Sequence, residues 1–431
     1  MSTADHGAQQ KGQRRSLADM LELDKRLFGM VIAFAILCLV FHFATDGKFL
    51  TPRNIFNVSV QTVSVGIMAT GMVFVIVGRY IDLSVGSMLA ICSAIMAVLQ
   101  TRFLPPIFGL GNPAILPITI ACGLLVGTGI GALTGWMVGF QRIPSFIVTL
   151  GGLLIYRNLA WYTTNGQSVA LTDPNVLMFG GSEGVLGPTV SWIIGAVASI
   201  IAVVAVLNAR RGKQRHGFIV KPVWAEGVLI ALILGAILGF VALLNAYEIP
   251  TQKLKRLFEA RGEVMPDGYV AYHGLPISVM ILILVAVTMT VVSQKTRFGR
   301  YIFATGGNPE AAELSGINTR LLTVKVFALM GFLCALAGLV AQARLQSHGN
   351  DIGTLDELKV IAATVIGGTA LSGGIGTIYG ALLGALVMQS LQSGMAMVGV
   401  DTPFQNIVVG GVLIIAVWID IFYRKRTGAL K

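Results

Sequence analysis

The chain has 431 residues, of which 55% are hydrophobic and 12% charged, against about 25% charged in an ordinary soluble domain. Mean hydropathy is +0.79, which excludes a soluble enzyme and a disordered chain. A net charge of +11 and a pI near 9.7 would otherwise suggest nucleic-acid binding, but the basic residues fall between long apolar runs, as cytoplasmic loop charges of a polytopic membrane protein do.

Taken in chain order, residues 1–26 are polar, carry Lys11, Arg14, Arg15, Lys25 and Arg26, and read as a cytoplasmic tail. The apolar run 27–44 is longer than a signal-peptide core and has no small-residue cleavage site, so it reads as the first span. Further spans are predicted over 57–77, 81–99, 114–138, 145–160, 190–208, 224–245, 275–293, 324–343, 360–373, 377–392 and 405–421, twelve elements in all within a transmembrane domain 27–423. Residues 424–431 form a second tail. The elements 145–160 and 360–373 are short, and either crosses fully or re-enters, a form tolerated only where it is buried in protein or lines a cavity.

With the N-terminus inside, 21 Lys and Arg fall on the cytoplasmic side and 10 on the other, which supports twelve spans with both termini cytoplasmic. The external segment 245–273 holds four of those 10, offset by Glu248, Glu259, Glu263 and Asp267. Cys38, Cys92, Cys122 and Cys334 sit singly in apolar runs and read as small buried hydrophobes, not as a disulfide or zinc framework.

The 52 glycines are not scattered evenly. Gly123, Gly127, Gly131 and Gly135 recur every fourth residue, placing them on one helix face where another backbone approaches closely. Gly376, Gly380 and Gly384 repeat the pattern, and Gly235 and Gly239 do so more briefly. Such faces serve either fixed packing or sliding during transport. Val75-Ile76-Val77-Gly78 followed by Leu83-Ser84-Val85-Gly86 echoes Val365-Ile366-Gly367-Gly368 followed by Leu371-Ser372-Gly373-Gly374. Interrupted apolar segments at matching positions of two halves point to a transporter's central pathway.

Catalytic motifs are missing. The sequence has no GxxxxGK[ST], HExxH or GxSxG, and none of its five histidines is spaced from a carboxylate as a metal ligand would be. The membrane-associated ionisable residues Arg79, Asp82, Glu226 and Asp420 lie near span ends, within snorkelling reach of an interface. With no carboxylate expected at mid-depth, an ion-driven carrier is disfavoured. A membrane transferase is too, because it would need an acidic cluster at an interface.

The most informative polar stretch is 298–320. Gly306-Gly307 are expected to break the chain, Asn308 to cap a helix, Pro309 to take its first position and Glu310 to favour its positive end. The short helix 309–315 then stops at Gly316. It is too brief to stand alone, so it packs either on its own bundle or on a soluble partner.

The run Gly306-Gly307-Asn308-Pro309-Glu310-Ala311-Ala312-Glu313-Leu314-Ser315-Gly316-Ile317 resembles the cytoplasmic coupling loop of ATP-binding-cassette importer permeases. Ile81-Asp82-Leu83-Ser84-Val85-Gly86-Ser87, residues 142–152 and residues 365–376 resemble the ribose/xylose-type monosaccharide permeases, and the similarity runs from about 54 to 423. Ribose-type members resemble a ten-span core, and the extra apolar segment 224–245 with its charged flanks resembles the xylose-type subgroup. The family usually has Gly-Gly before Ile-Asp-Leu-Ser, where this chain has Arg79-Tyr80.

The resemblance implies an all-α bundle of pseudo-repeated halves in a bacterial inner membrane, working as a transport subunit and not as an enzyme. It implies a second permease copy, a cytoplasmic ATPase carrying the ATP and Mg, and a periplasmic sugar-binding protein, with no cofactor or metal on this chain and no nucleic-acid partner. Coupling falls to Gly307, Asn308, Pro309, Glu310, Ala311, Ala312, Glu313, Ser315 and Gly316. The substrate pathway falls to Asp82, Ser84, Gly86, Ser87, Ser372, Gly373 and Gly374, with helix capping beside Ser84 an equal role for Asp82. Xylose is the first expected sugar, followed by glucose, galactose or arabinose. A branched-chain amino acid permease shares the architecture without this combination of motifs.

Overall fold

A computed structural model describes residues 25–171, 173–218, 220, 222–260 and 262–426. Residues 1–24 of the expected first tail and 427–431 of the second lie outside the described residues, as do Lys221 and Arg261 of the charge pattern, while residues 424–426 continue the last helix.

The helices are α1 (Lys25–Ala44), α2 (Pro52–Val77), α3 (Val85–Val98), α4 (Pro105–Phe108), α5 (Ile115–Gly139), α6 (Ser145–Thr164), α7 (Pro174–Leu177), α8 (Gly187–Arg215) and α9 (Val223–Asn245). They continue as α10 (Thr251–Ala260), α11 (Ile277–Lys295), α12 (Arg297–Gly307), α13 (Pro309–Leu314), α14 (Thr319–Leu345), α15 (Asp356–Ile366), α16 (Ile378–Met397) and α17 (Thr402–Arg426). Among the described residues nine helical segments are long and apolar enough to cross a membrane: α1, α2, α3 with its continuation to Phe108, α5, α8, α9, α11, α14 and α17. The expected spans at α6, α15 and α16 fall below that combination of length and apolarity.

The chain is almost all α. Among the described residues the strands are one two-residue pair, β1 (Val169–Ala170) and β2 (Ser347–His348), joined antiparallel with Val169 opposite His348, beside three isolated bridges. Each follows a long helix that ends in a left-handed residue, Asn165 after α6 and Gln346 after α14.

The centre is α2, almost every residue of which is buried, wrapped by α14, α16, α11 and α15. Phe74, Phe327, Met68, Met72, Met88 and Leu89 are fully enclosed there. The glycine stripe of α5 explains its tight antiparallel fit on α14. A Cβ on Gly127 would meet the Gly331 carbonyl, one on Gly131 the Phe327 carbonyl, and one on Gly135 the Val324 Cα at 2.7 Å. In the second stripe Gly380 meets Gly367 and Gly384 meets Ala363, closing α16 onto α15. The brief stripe on α9 behaves differently, since Gly235 and Gly239 have open space around them. Cys92 and Cys334 are buried and all four cysteines are free.

Two expected spans need correction, and both are interrupted. The element expected at 81–99 starts as a helix only at Val85, with 80–84 non-helical. The element expected at 360–373 is the helix Asp356–Ile366 followed by non-helical Gly367–Thr377. The backbone explains why. At the first break Gly78 (φ −72°) precedes Arg79 (φ +67°), and the Tyr80 N–H donates back to the Val75 carbonyl. At the second, Gly367 (φ −62°) precedes Gly368 (φ +83°), and the Thr369 N–H donates back to the Thr364 carbonyl. Both are Schellman stops, so the weak sequence echo marks one conformation used twice.

Candidate functional site

The residues expected to couple form a short capped helix at one end of the bundle, the α13 end. Helix α12 runs through Gly306 and Gly307, so the expected break there shifts to Asn308, which has extended backbone. Asn308 ends α12 and begins α13, its Oδ1 accepting from the Ala311 N–H at 3.1 Å. Pro309 fills the first turn with Glu310, and Ser315 Oγ donates to the Ala311 carbonyl at 2.7 Å. Gly316 turns the chain at φ +83°, and Glu313 accepts from Thr319 Oγ1 at 2.6 Å, tying α13 to the start of α14. Only Ala312 of this helix is buried, so Glu310, Ala311, Glu313 and Ser315 face outward. Leu314, 91% exposed, was not singled out by sequence. A leucine ending a capped surface helix is the signal that would have found it.

Directly beneath α13, three segments meet. Arg79 Nε donates to the Gly306 carbonyl at 2.6 Å, and its Nη2 donates to the Gly307 carbonyl at 2.8 Å. The Gly374 N–H donates to the Val77 carbonyl at 2.9 Å. A Cβ on Gly373 would strike the Arg79 side chain and the Gly306 carbonyl, and one on Gly306 the Val77 carbonyl. The end of α12, the end of α2 and the second interruption are therefore one packed junction. Arg79 turns its charge onto the carbonyl end of α12, where cations are favoured.

From the junction the chain turns back into the bundle. Tyr80 Oη shares a hydrogen bond with Thr323 Oγ1 at 2.8 Å and its ring packs on Phe327. Asp82, Ser84, Gly86 and Ser87 follow, all buried. Leu89 of α3 passes Gly338, and Ser93 Oγ donates to Gln342 Oε1 at 3.4 Å, so α3 begins opposite the middle of α14. This overturns the expectation that Asp82 sits near an interface. Its carboxylate is wholly enclosed, and its Oδ1 accepts from the Ser84 N–H (2.8 Å) and Oγ (2.6 Å), an Asx turn ahead of α3 and not a cap on it, since α3 begins at Val85 with no side-chain cap. A second carboxylate lies close by. A Cβ on Gly86 would collide with the Gly353 carbonyl and, at 2.5 Å, with Glu357 Oε2 at the start of α15. Asp82 Oδ2, Ser87 Oγ and Glu357 Oε2 are buried without a hydrogen-bond partner. The expected absence of mid-depth carboxylates is therefore corrected, and Glu357 escaped notice because its element was taken to start at 360. Of the second interruption, Ser372 is exposed at the α13 end, whereas Gly373 is packed in the junction.

Among the described residues no cluster of three His, Cys, Asp or Glu could hold a metal ion. Glu226 pairs with Arg210 where α8 and α9 meet.

At the opposite end Val185, Gly187 and Glu248 form bridges with Pro276, Gly274 and Tyr272. Lys253 of α10 donates to the Ser182 carbonyl (2.8 Å) and pairs with Glu183 (2.9 Å), which uses one of the positive charges that strained the loop pattern. His273 stacks on Tyr247 with ring centroids 4.3 Å apart, and burial, then Lys253, hold its pKa below the ordinary 6.5.

A family model described as "Branched-chain amino acid transport system / permease component" matches residues 54–215 and 215–417. The xylose transport system permease protein XylH of Haemophilus influenzae is 37% identical over 401 residues, covering 93% of this chain and 97% of the relative. XylH of Escherichia coli is 37% identical over 405 residues, 94% of each chain. The ribose import permease protein RbsC of Escherichia coli is 31% identical over 411 residues, 95% of this chain and 97% of that one. No solved structure matches the chain significantly. The chain therefore belongs to this family of multi-pass transport permeases, and its full-length relatives set it on the xylose/ribose side of that family.

Proposed function

We propose that the chain is the membrane-spanning permease subunit of an ATP-driven importer for a monosaccharide of the xylose type, working in a bacterial inner membrane. Two copies pair with a cytoplasmic ATPase, which holds the ATP and Mg, and with a periplasmic sugar-binding protein. The α13 end is cytoplasmic, both termini lie on that side, and twelve elements cross. The observation that carries this reading is the junction of Arg79 with Gly306 and Gly307, because it links the exposed α13 to both interrupted segments at once. Force applied to Asn308, Pro309, Glu310 and Glu313 passes through the end of α12 into Val77–Tyr80 and Gly373–Gly374. From there it reaches the buried Asp82–Ser87 turn, where the Gly86–Gly353 contact is the closed point of the path.

The test is Glu310→Lys. It lies on the exposed side of α13 and leaves membrane insertion intact, while association with the ATPase, read by co-purification, falls by about tenfold or more, as for removal of an interface anchor. Unchanged co-purification would falsify the docking assignment.

A second reading, an ion-coupled carrier, is favoured by the two buried carboxylates Asp82 and Glu357. It expects uptake that continues in vesicles lacking internal ATP and collapses with an ionophore. Uptake that needs ATP and ignores the ionophore removes it.

A further inference from the structure

Away from the junction, a cavity of about 410 Å³ opens between α2, α16 and α17, lined by Gln61, Gln389, Gln392, Ser393 and Gln405. Ala396 and Met397 complete it. We propose that this glutamine groove is a binding station for the neutral, polyhydroxylated substrate, on the side from which it enters. The inference rests on the sugar-importer reading and names the place in this chain that meets the sugar.

Gln61 on α2 and Gln389 on α16 are bonded to each other, Gln389 Nε2 donating to Gln61 Oε1 at 2.9 Å. At 1.5 Å per residue both lie about 12–14 Å in from the ends of their helices remote from α13. Gln392 and Ser393 stand one turn nearer that end, and Gln405 lies in the first turn of α17. The groove is thus a funnel with the Gln61–Gln389 pair as its floor. Ser393 Oγ donates to Asn54 Oδ1 at 3.1 Å and Gln405 Nε2 to the Val400 carbonyl at 2.8 Å, which steadies the wall and the mouth.

Half-buried amides at such a depth cannot face hydrocarbon without loss, so the groove opens to water or faces a second copy of the chain. No ionisable side chain lines it. An amino acid would bring a carboxylate and an ammonium that need charged partners, and nothing here supplies them. A sugar brings hydroxyls that both donate and accept, as amides do, and C–H faces that suit Ala396 and Met397. The volume falls in the range of small-molecule sites, about 300–1,000 Å³.

The test uses the complete permease–ATPase–binding-protein assembly in proteoliposomes with xylose as the probe. In Gln392→Cys, labelling by a small methanethiosulfonate reagent from outside should slow at least threefold when xylose is added. Labelling of Leu110→Cys, an exposed position outside the groove lining, should not change. The double variant Gln61→Leu/Gln389→Leu replaces both partners of one hydrogen bond, a change close to neutral for folding. It should lower xylose uptake at least tenfold while the variant still assembles with the ATPase, read by co-purification. Labelling of Gln392→Cys that ignores xylose, or normal uptake by the double variant, overturns the groove while the wild-type assembly still transports. If the wild-type assembly takes up none of xylose, ribose, glucose, galactose and arabinose, the sugar-importer reading falls and the groove proposal falls with it.

Discussion

Arg79 holds a left-handed conformation that suits glycine, and the structure gives this two opposed consequences. A left-handed conformation at φ +67° costs a non-glycine residue about 1 kcal/mol. In return the guanidinium reaches two carbonyls at the end of α12, worth on the order of 1–2 kcal/mol after allowance for its exposure. Arg79→Gly separates the two. It relieves the strain and should leave the thermal midpoint of the purified permease unchanged within a few degrees, whereas uptake per ATP hydrolysed should drop severalfold because α13 loses its tie to α2. Equal coupling in Arg79→Gly and the parent would remove Arg79 from the route. His273 gives a residue-scale prediction at the other end. Its folded pKa is held below 6.5, so the unfolded chain takes up the proton first and stability is present above that pH. Acidification below 6.5 should therefore lower the midpoint, and His273→Phe, which keeps the ring on Tyr247, should flatten that dependence. A midpoint equally acid-sensitive in both proteins would contradict the assignment. Neither residue's role was legible in sequence, because each depends on a partner far along the chain.

Among the elements, legibility followed how local the cause was. The caps of α13 were readable because Asn308, Pro309 and Gly316 act within a few residues. The α5 stripe was readable as a face but not as a partner. The same spacing on α9 packs against nothing at Gly235 and Gly239, so glycine periodicity alone does not identify an interface. The interruptions before α3 and after α15 were misplaced by several residues, since hydropathy runs on through non-helical segments buried in protein. That error also hid the depth of Asp82 and Glu357. The two stripes can be told apart by experiment. Gly131→Leu drives a side chain into the Phe327 carbonyl and should cost about 1–3 kcal/mol or more through overpacking, seen as a lower melting temperature in detergent. Gly235→Leu should leave the melting temperature unchanged. If both variants melt alike, the α5–α14 contact is not the tight one described here.

For the whole molecule the number of crossings turns on α15. With only 11 residues this helix is about 16 Å long, roughly half a hydrocarbon core of ~30 Å. Yet Gly353, just before α15, packs on Gly86 deep in the bundle, while Gly374 beyond it bonds Val77 at the α13 end. Helix α15 and the glycine loop after it thus together carry the chain from mid-depth to the α13 end, and the turn before α15 covers the other half. The stretch between α14 and α16 then counts as a crossing although no single helix in it spans. The consequence falls on Val398, in the turn after α16 and 48% exposed. If the crossing is complete, Val398 lies on the same side as Val264, which is 93% exposed in the 246–276 segment, and opposite Leu314. In intact cells an impermeant thiol reagent should label Val264→Cys and Val398→Cys, and should reach Leu314→Cys only after permeabilisation. Labelling of Val398→Cys that waits for permeabilisation, as Leu314→Cys does, would make α15 a re-entrant hairpin and reduce the count by one.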